Sequence, residues 1–205
     1  MATFIDNLAY QLFVIGFAAL LIAYLFSYVY LQYRKKSKDI GIALKGAAVP
    51  FGVLGAYMII MGVVGQLTWF LPGAYNILFI DPLLSFGILL VAFAFAIHLE
   101  MKLQYIGLLA MFFGFMVIWY GISGYNLELT KEPLALAGMY ILFGIAGVFS
   151  YPASIVMDRL PGYQKNVWIG WQALLVICWL AFIGAGLLAI FTGASAVPAH
   201  LASPP

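Results

Sequence analysis

The most constraining feature of this chain is the position of its basic residues relative to six long apolar stretches. Eight of the nine Lys and Arg residues fall on one side of a six-span arrangement, and Lys131 falls on the other. Short loops that are rich in Lys and Arg stay in the cytoplasm. The pattern therefore predicts six membrane spans with both termini outside. The residues on the predicted cytoplasmic side are Arg34, Lys35, Lys36, Lys38, Lys45, Lys102, Arg159 and Lys165.

The composition fits a chain that lies almost entirely in lipid. Of its 205 residues, 66% are hydrophobic and 8% are charged, whereas a soluble domain has about 25% charged residues. At about 20 residues per span, this length leaves no room for a domain outside the membrane. We therefore predict a single transmembrane domain over 1–205 in the cell membrane, with the lipid bilayer as a partner. The sequence shows no basic face for nucleic acid.

The apolar stretches predict an all-α, polytopic membrane helix bundle. Its spans are expected near 8–30, 42–68, 82–97, 105–122, 134–157 and 168–191, with an outer tail over 192–205. Gly107, Gly114 and Gly121 recur at intervals of seven in the fourth span. Small residues on one face let helix backbones approach closely in a membrane. This stripe therefore predicts a tight seam with a neighbouring helix.

Asp81 is the most prominent ionisable residue, because it precedes Pro82 and follows Asn76 near the predicted outer surface. Asp is a good N-cap, and Pro is favoured at the first helical position. The pair therefore predicts that Asp81 caps the third span. The alternative is that its carboxylate takes part in a proton or cation path, since ionisable groups in membrane spans are by default functional candidates.

His98 and Glu100 end the third predicted span. Two residues apart on a helix, their side chains point about 200° away from each other and cannot share a metal without further ligands. The other histidine, His200, is predicted on the opposite side of the membrane, so a second axial ligand for haem beside His98 would have to be a methionine, and the sequence disfavours such a site. We therefore expect no metal and no cofactor.

Asp158 and Arg159 end the fifth span on the predicted cytoplasmic side. We expect them to pair with Glu100, Lys102 and Lys165 in a ring of charges. Such a ring could gate a path, but a solvated cluster of this kind contributes little energy.

Two stretches resemble a known family. LPGAYNILFIDPL, from Leu71 to Leu83, joins an outer turn to the third span, and AGMYILFGIAG, from Ala137 to Gly147, lies in the fifth. Together they resemble domain-of-unknown-function family 981, a group of uncharacterised prokaryotic, mainly archaeal, membrane proteins. The resemblance implies a multi-helix membrane protein and supplies no catalytic residue.

Three classes of function remain. We predict a non-catalytic accessory subunit of a larger membrane complex, such as a respiratory or other redox assembly, bound to other membrane subunits. The alternative is a small ion or solute transporter or channel that uses Asp81. An intramembrane enzyme is disfavoured because acids, bases and metal ligands are scarce. The candidate polar residues are Asp81, Asn76, His98, Glu100, Asp158 and Arg159.

Overall fold

The part of the chain that the structure describes folds into six α-helices. The computed structural model describes residues 7–35, 40–159 and 168–202, and these contain no strand. Each of the six helices is long and apolar enough to cross a membrane, which confirms the predicted all-α membrane bundle. The helices are α1 Asn7–Arg34, α2 Ile40–Thr68, α3 Ala74–His98, α4 Gln104–Asn126, α5 Pro133–Arg159 and α6 Ile169–Ala202.

Neighbouring helices differ in how tightly they pack. The α2–α3 and α4–α5 pairs and the α1–α6 pair pack closely, and α5 also packs against α6. The contact between α3 and α4 is much looser. Because successive helices alternate in direction, Arg34, Lys45, Lys102 and Arg159 lie at one end of the bundle, here called the basic end.

The glycine stripe of α4 forms the predicted tight seam, and its partner is α5. A Cβ atom added at Gly114 would lie 2.7 Å from the carbonyl oxygen of Gly144 and 2.7 Å from the backbone nitrogen of Val148. The two backbones therefore touch without side chains between them. A Cβ atom at Gly107 would lie 2.7 Å from the carbonyl oxygen of Ser150 on α5, and one at Gly121 would lie 2.5 Å from Cβ of Tyr140.

Helix α3 begins at Ala74, eight residues before the predicted start, so the prediction that Asp81 caps it is wrong. Pro82 lies inside the helix and leaves the carbonyl group of Leu78 without its usual N–H partner. The hydroxyl group of Tyr140 on α5 donates a hydrogen bond to that carbonyl oxygen. A neighbouring helix thus satisfies the backbone group that the proline releases, as membrane helices often require.

Helix α6 is longer than predicted. It continues to Ala202, so residues 192–202 are helical rather than part of an irregular tail. Gly193 packs against the backbone oxygen of Ala9 and the side chain of Leu12, which extends the α1–α6 contact beyond the expected end of the span. The nine residues after Gly193 add about 13 Å of helix.

The orientation in the membrane stays a prediction, and labelling tests it. In a Cys178→Ala background, Lys102→Cys and Asn126→Cys place single thiols at opposite ends of α4. We expect an impermeant maleimide to label Asn126→Cys in intact cells and Lys102→Cys after lysis, because the basic end should be cytoplasmic. The reverse labelling pattern would show that both termini are inside.

Candidate functional site

The carboxylate of Asp81 joins three helices near the end opposite the basic end. Asp81 lies seven residues into α3, about 10 Å along the helix axis. Its Oδ1 accepts a hydrogen bond from Nε2 of Gln66 on α2 at 3.1 Å. Its Oδ2 accepts one from the hydroxyl group of Tyr120 on α4 at 2.7 Å. We call Asp81, Gln66 and Tyr120 the carboxylate cluster.

The carboxylate cluster contains no positive charge. Within residues 7–35, 40–159 and 168–202, no Lys, Arg or His side chain forms an ion pair with Asp81. Both hydrogen-bond partners are neutral, and both carry an acceptor as well as a donor. The same three side chains can therefore remain hydrogen-bonded whether or not the carboxyl group carries a proton.

Asn76 serves a different purpose from Asp81, although both are on α3. Its side chain is buried, with 1% of its surface exposed. Its Oδ1 accepts a hydrogen bond from the backbone N–H of Leu71 at 3.3 Å, and its Nδ2 donates one to the carbonyl oxygen of Gly65 at 3.0 Å. Asn76 thus ties the α2–α3 turn to the end of α2 and does not bond to the carboxylate cluster.

The predicted ring of charges at the basic end does not form among the described residues. Oδ1 and Oδ2 of Asp158 accept hydrogen bonds from the backbone N–H groups of Leu103 and Gln104, at 2.8 and 3.0 Å. Asp158 therefore caps α4 from the end of α5. Arg159 is exposed and forms no ion pair with a described residue, and Lys165 lies outside the described ranges.

Glu100 pairs with Lys45 instead, with Oε1 and Nζ 2.6 Å apart and both side chains exposed. The hydrogen bond from Lys45 and its positive charge lower the pKa of Glu100. His98 is exposed at the end of α3. No group of three His, Cys, Asp or Glu residues in the described parts of the chain could hold a metal ion, and the expectation of no metal or cofactor stays a prediction.

Sequence reasoning missed Tyr120, Tyr140 and Gln11. Tyr120 and Tyr140 are single aromatics among many, and their roles depend on contacts with α3, 39 and 62 residues away in the chain. Gln11 of α1 is 1% exposed, and neither its Nε2 nor its Oε1 atom has a hydrogen-bond partner among the described residues. The sequence signal that could have pointed to Gln11 is its position as a polar residue near the start of the first apolar stretch.

The six apolar helices and the few polar groups between them define a multi-pass membrane protein. The family model described as a protein of unknown function (DUF981) matches residues 1–203, and the chain belongs to this family. The resemblance seen in the sequence is thereby confirmed and covers nearly the whole chain. No curated protein and no solved structure matches the chain.

Proposed function

We propose that this protein is a small membrane transporter that moves protons, with Asp81 as the group that binds and releases them. The proposal rests on one observation. Asp81 is a carboxylate within a helix that is long and apolar enough to cross a membrane. It joins three helices through neutral partners and has no ion pair with a described residue. Ionisable groups inside membrane spans are costly and usually mark ion pathways or proton relays.

The chemistry of the two partners supports this role. When Asp81 is ionised, Tyr120 and Gln66 can donate to it across the distances of 2.7 and 3.1 Å. When it is protonated, a rotation of the Tyr120 hydroxyl or of the Gln66 amide lets either group accept its hydrogen bond. Tyr120 lies on α4, which packs loosely against α3, so a change in this bond can alter the spacing of the two helices.

Proton movement by purified protein in liposomes tests the proposal. We expect Asp81→Asn and Asp81→Ala to slow the change of an enclosed pH dye, driven by a proton gradient, at least roughly tenfold. Asn keeps the size of the side chain and an acceptor oxygen, so Asp81→Asn should retain the thermal stability of the wild type. Glu100→Gln is the matched control, because it also removes one carboxylate but lies in an exposed ion pair.

Equal proton rates in Asp81→Asn and in the wild type would refute the proposal. Proton transport requires a membrane that holds a proton gradient. The proposal therefore includes a location in the cell membrane.

An accessory subunit of a larger membrane complex is the second candidate. The helical extension of α6 beyond Gly193 favours it, because Ala194, Ser195 and Leu201 are exposed and available to another subunit. The liposome assay separates the two candidates. An accessory subunit alone moves no protons, and its association with a partner should survive Asp81→Asn and be lost when residues 195–205 are removed.

A further inference from the structure

The six helices form three pairs in which the two backbones touch. One pair is α4–α5, with its glycine seam. In the α2–α3 pair, a Cβ atom at Gly55 would lie 2.9 Å from the carbonyl oxygen of Gly87. In the α1–α6 pair, a Cβ atom at Gly16 would lie 2.9 Å from the carbonyl oxygen of Gly186. Because small residues let membrane helices pack closely, each pair should keep its internal geometry when it moves.

These three pairs are joined to one another unequally. Helix α5 packs closely against α6, and Sγ of Cys178 on α6 donates a hydrogen bond to the carbonyl oxygen of Ala146 on α5 at 3.4 Å. The α1–α6 and α4–α5 pairs therefore form one body, here called the four-helix unit. The α2–α3 pair, here called the hairpin, meets this unit through the looser α1–α2 and α3–α4 contacts.

The boundary between the hairpin and the four-helix unit is incompletely filled. Two apolar cavities, of about 90 and 60 Å³, are each lined by α3 together with α1, α4, α5 and α6. Aromatic side chains contact each other across this boundary. The ring centres of Phe86 and Phe143 are 5.8 Å apart, and those of Phe26 and Phe93 are 6.4 Å apart. Atoms that border a void lack part of their packing, so a movement here disrupts fewer contacts than a movement within a helix pair.

Two tyrosines of the four-helix unit bond to the hairpin beside Pro82. The hydroxyl group of Tyr120 on α4 donates to Oδ2 of Asp81 at 2.7 Å, and that of Tyr140 on α5 donates to the carbonyl oxygen of Leu78. Pro82 follows Asp81 directly and removes a backbone hydrogen bond of α3, which makes this the point where the helix bends most easily. The hairpin is therefore held at the end opposite the basic end, next to its own pivot.

We propose that Tyr120 is a positioning residue that holds the hairpin against the four-helix unit while Asp81 is ionised, and that a proton on Asp81 releases the hairpin to pivot at Pro82. The proposal rests on the proton binding that the proposed function assigns to Asp81, but not on net proton transport. Alternating access in membrane transporters is largely rigid-body rocking of one helix group against another. The hairpin is the group that the packing leaves free to rock.

The strength of the hydrogen bond explains why the proton controls the movement. A hydrogen bond to an ionised carboxylate is roughly twice as strong as one between neutral groups. Separating Tyr120 from an ionised Asp81 would also leave a charge inside the membrane with one donor fewer, which is costly. The other groups that face Asp81 do not change their charge in this range. Gln66 of α2 is neutral, and the phenols of Tyr120 and Tyr140 stay protonated below about pH 9.

Distances between spin labels on the full chain in phospholipid nanodiscs test the proposal. In a Cys178→Ala background, Leu67→Cys on α2 and Phe115→Cys on α4 place the two labels at exposed positions. Pulsed electron–electron resonance records their distances from about pH 8 down to about pH 4, where carboxyl groups in proteins titrate. We expect a second population of distances, whose ratio to the first rises roughly fivefold as the pH falls, because a charged hydrogen bond becomes a neutral one. Labels at Phe115 and Leu187, both in the four-helix unit, should keep one distribution at every pH.

Substitutions identify the groups responsible. Tyr120→Phe removes the hydroxyl group and should show the second population already at high pH, with no further dependence on pH. Asp81→Asn cannot titrate and should give a distribution that does not change with pH. Tyr125→Phe is the matched control for Tyr120→Phe, because it makes the same change at an exposed position of α4. Glu100→Gln removes the carboxylate of an exposed ion pair. Both controls should behave as the wild type.

Equal distributions in Tyr120→Phe and the wild type at every pH would overturn the proposal. A single, constant distribution in the wild type, or a pH-dependent change that persists in Asp81→Asn, would overturn it as well. The liposome assay separates this failure from failure of the proposed function. If Asp81→Asn slows proton movement while all distances stay constant, the hairpin does not move and the proposed function stands. If Asp81→Asn moves protons at the wild-type rate while the wild-type distances change with pH, the proposed function fails and the movement of the hairpin stands.

Discussion

Replacing Gly147 by alanine should lower the stability of the protein by about 1–3 kcal/mol, because the added methyl group has no space between α4 and α5. A Cβ atom at this position would lie 2.8 Å from Cα of Gly114 and 2.9 Å from the carbonyl oxygen of Ala110. Both are backbone atoms of α4, so no side chain can turn away to make room. The two helices would have to move apart along the glycine seam.

Gly138→Ala is the matched control, since it makes the same substitution on the same helix. Its Cβ atom would meet Cδ1 of Leu188 at 3.9 Å, an ordinary contact. Because alanine favours helix over glycine by up to about 1 kcal/mol, this variant should be as stable as the wild type or slightly more stable. Thermal unfolding of the three proteins in one detergent measures the difference. Equal melting temperatures for Gly147→Ala and Gly138→Ala would show that the seam can relax.

The glycine seam and the number of helices follow from the sequence because both depend on local pattern. Gly107, Gly114 and Gly121 lie on one face of any helix that contains them, and a membrane helix with such a face packs closely on a neighbour. The sequence does not indicate which neighbour it is. That choice depends on the complementary glycines Gly144 and Gly147 of α5. No pattern in the sequence indicates that these two glycines contact the glycines of α4.

The start of α3 was mispredicted for a physical reason. Asp followed by Pro is a strong local signal for a helix start, but the residues from Ile77 to Ile80 are apolar and continue the same span. The longer helix is stable because Tyr140 bonds to the carbonyl oxygen of Leu78. A contact between residues far apart in the chain therefore outweighs the local signal, and it leaves Asp81 inside the helix rather than at its end.

The candidate site, too, could be predicted only in part from the sequence. The sequence singled out Asp81 correctly as an ionisable residue in a membrane chain, but its partners Gln66 and Tyr120 lie on two other helices. Their approach depends on how α2 and α4 are turned about their axes. No apolar period within one span specifies that rotation.

Removal of the carboxylate that caps α4 is the second change for which we expect a large effect. Leu103 stands at the N-cap position of α4 and has no side chain that can accept a hydrogen bond. Asp158 takes over this function from α5, with its two oxygen atoms 2.8 and 3.0 Å from the backbone nitrogens of Leu103 and Gln104. Its negative charge also interacts favourably with the positive end of the α4 dipole. A single side chain thus joins the start of α4 to the end of α5 at the basic end.

Asp158→Ala should therefore lower the stability by about 1–3 kcal/mol, as expected for the loss of a charged cap with two hydrogen bonds. Asp158→Asn keeps one acceptor oxygen but no charge, so its melting temperature should lie between those of Asp158→Ala and the wild type. Arg159→Ala is the neighbouring control and should change little, since Arg159 is exposed and has no ion pair with a described residue. If Asp158→Ala melts at the wild-type temperature, water replaces the carboxylate at these N–H groups and the cap does not stabilise the bundle.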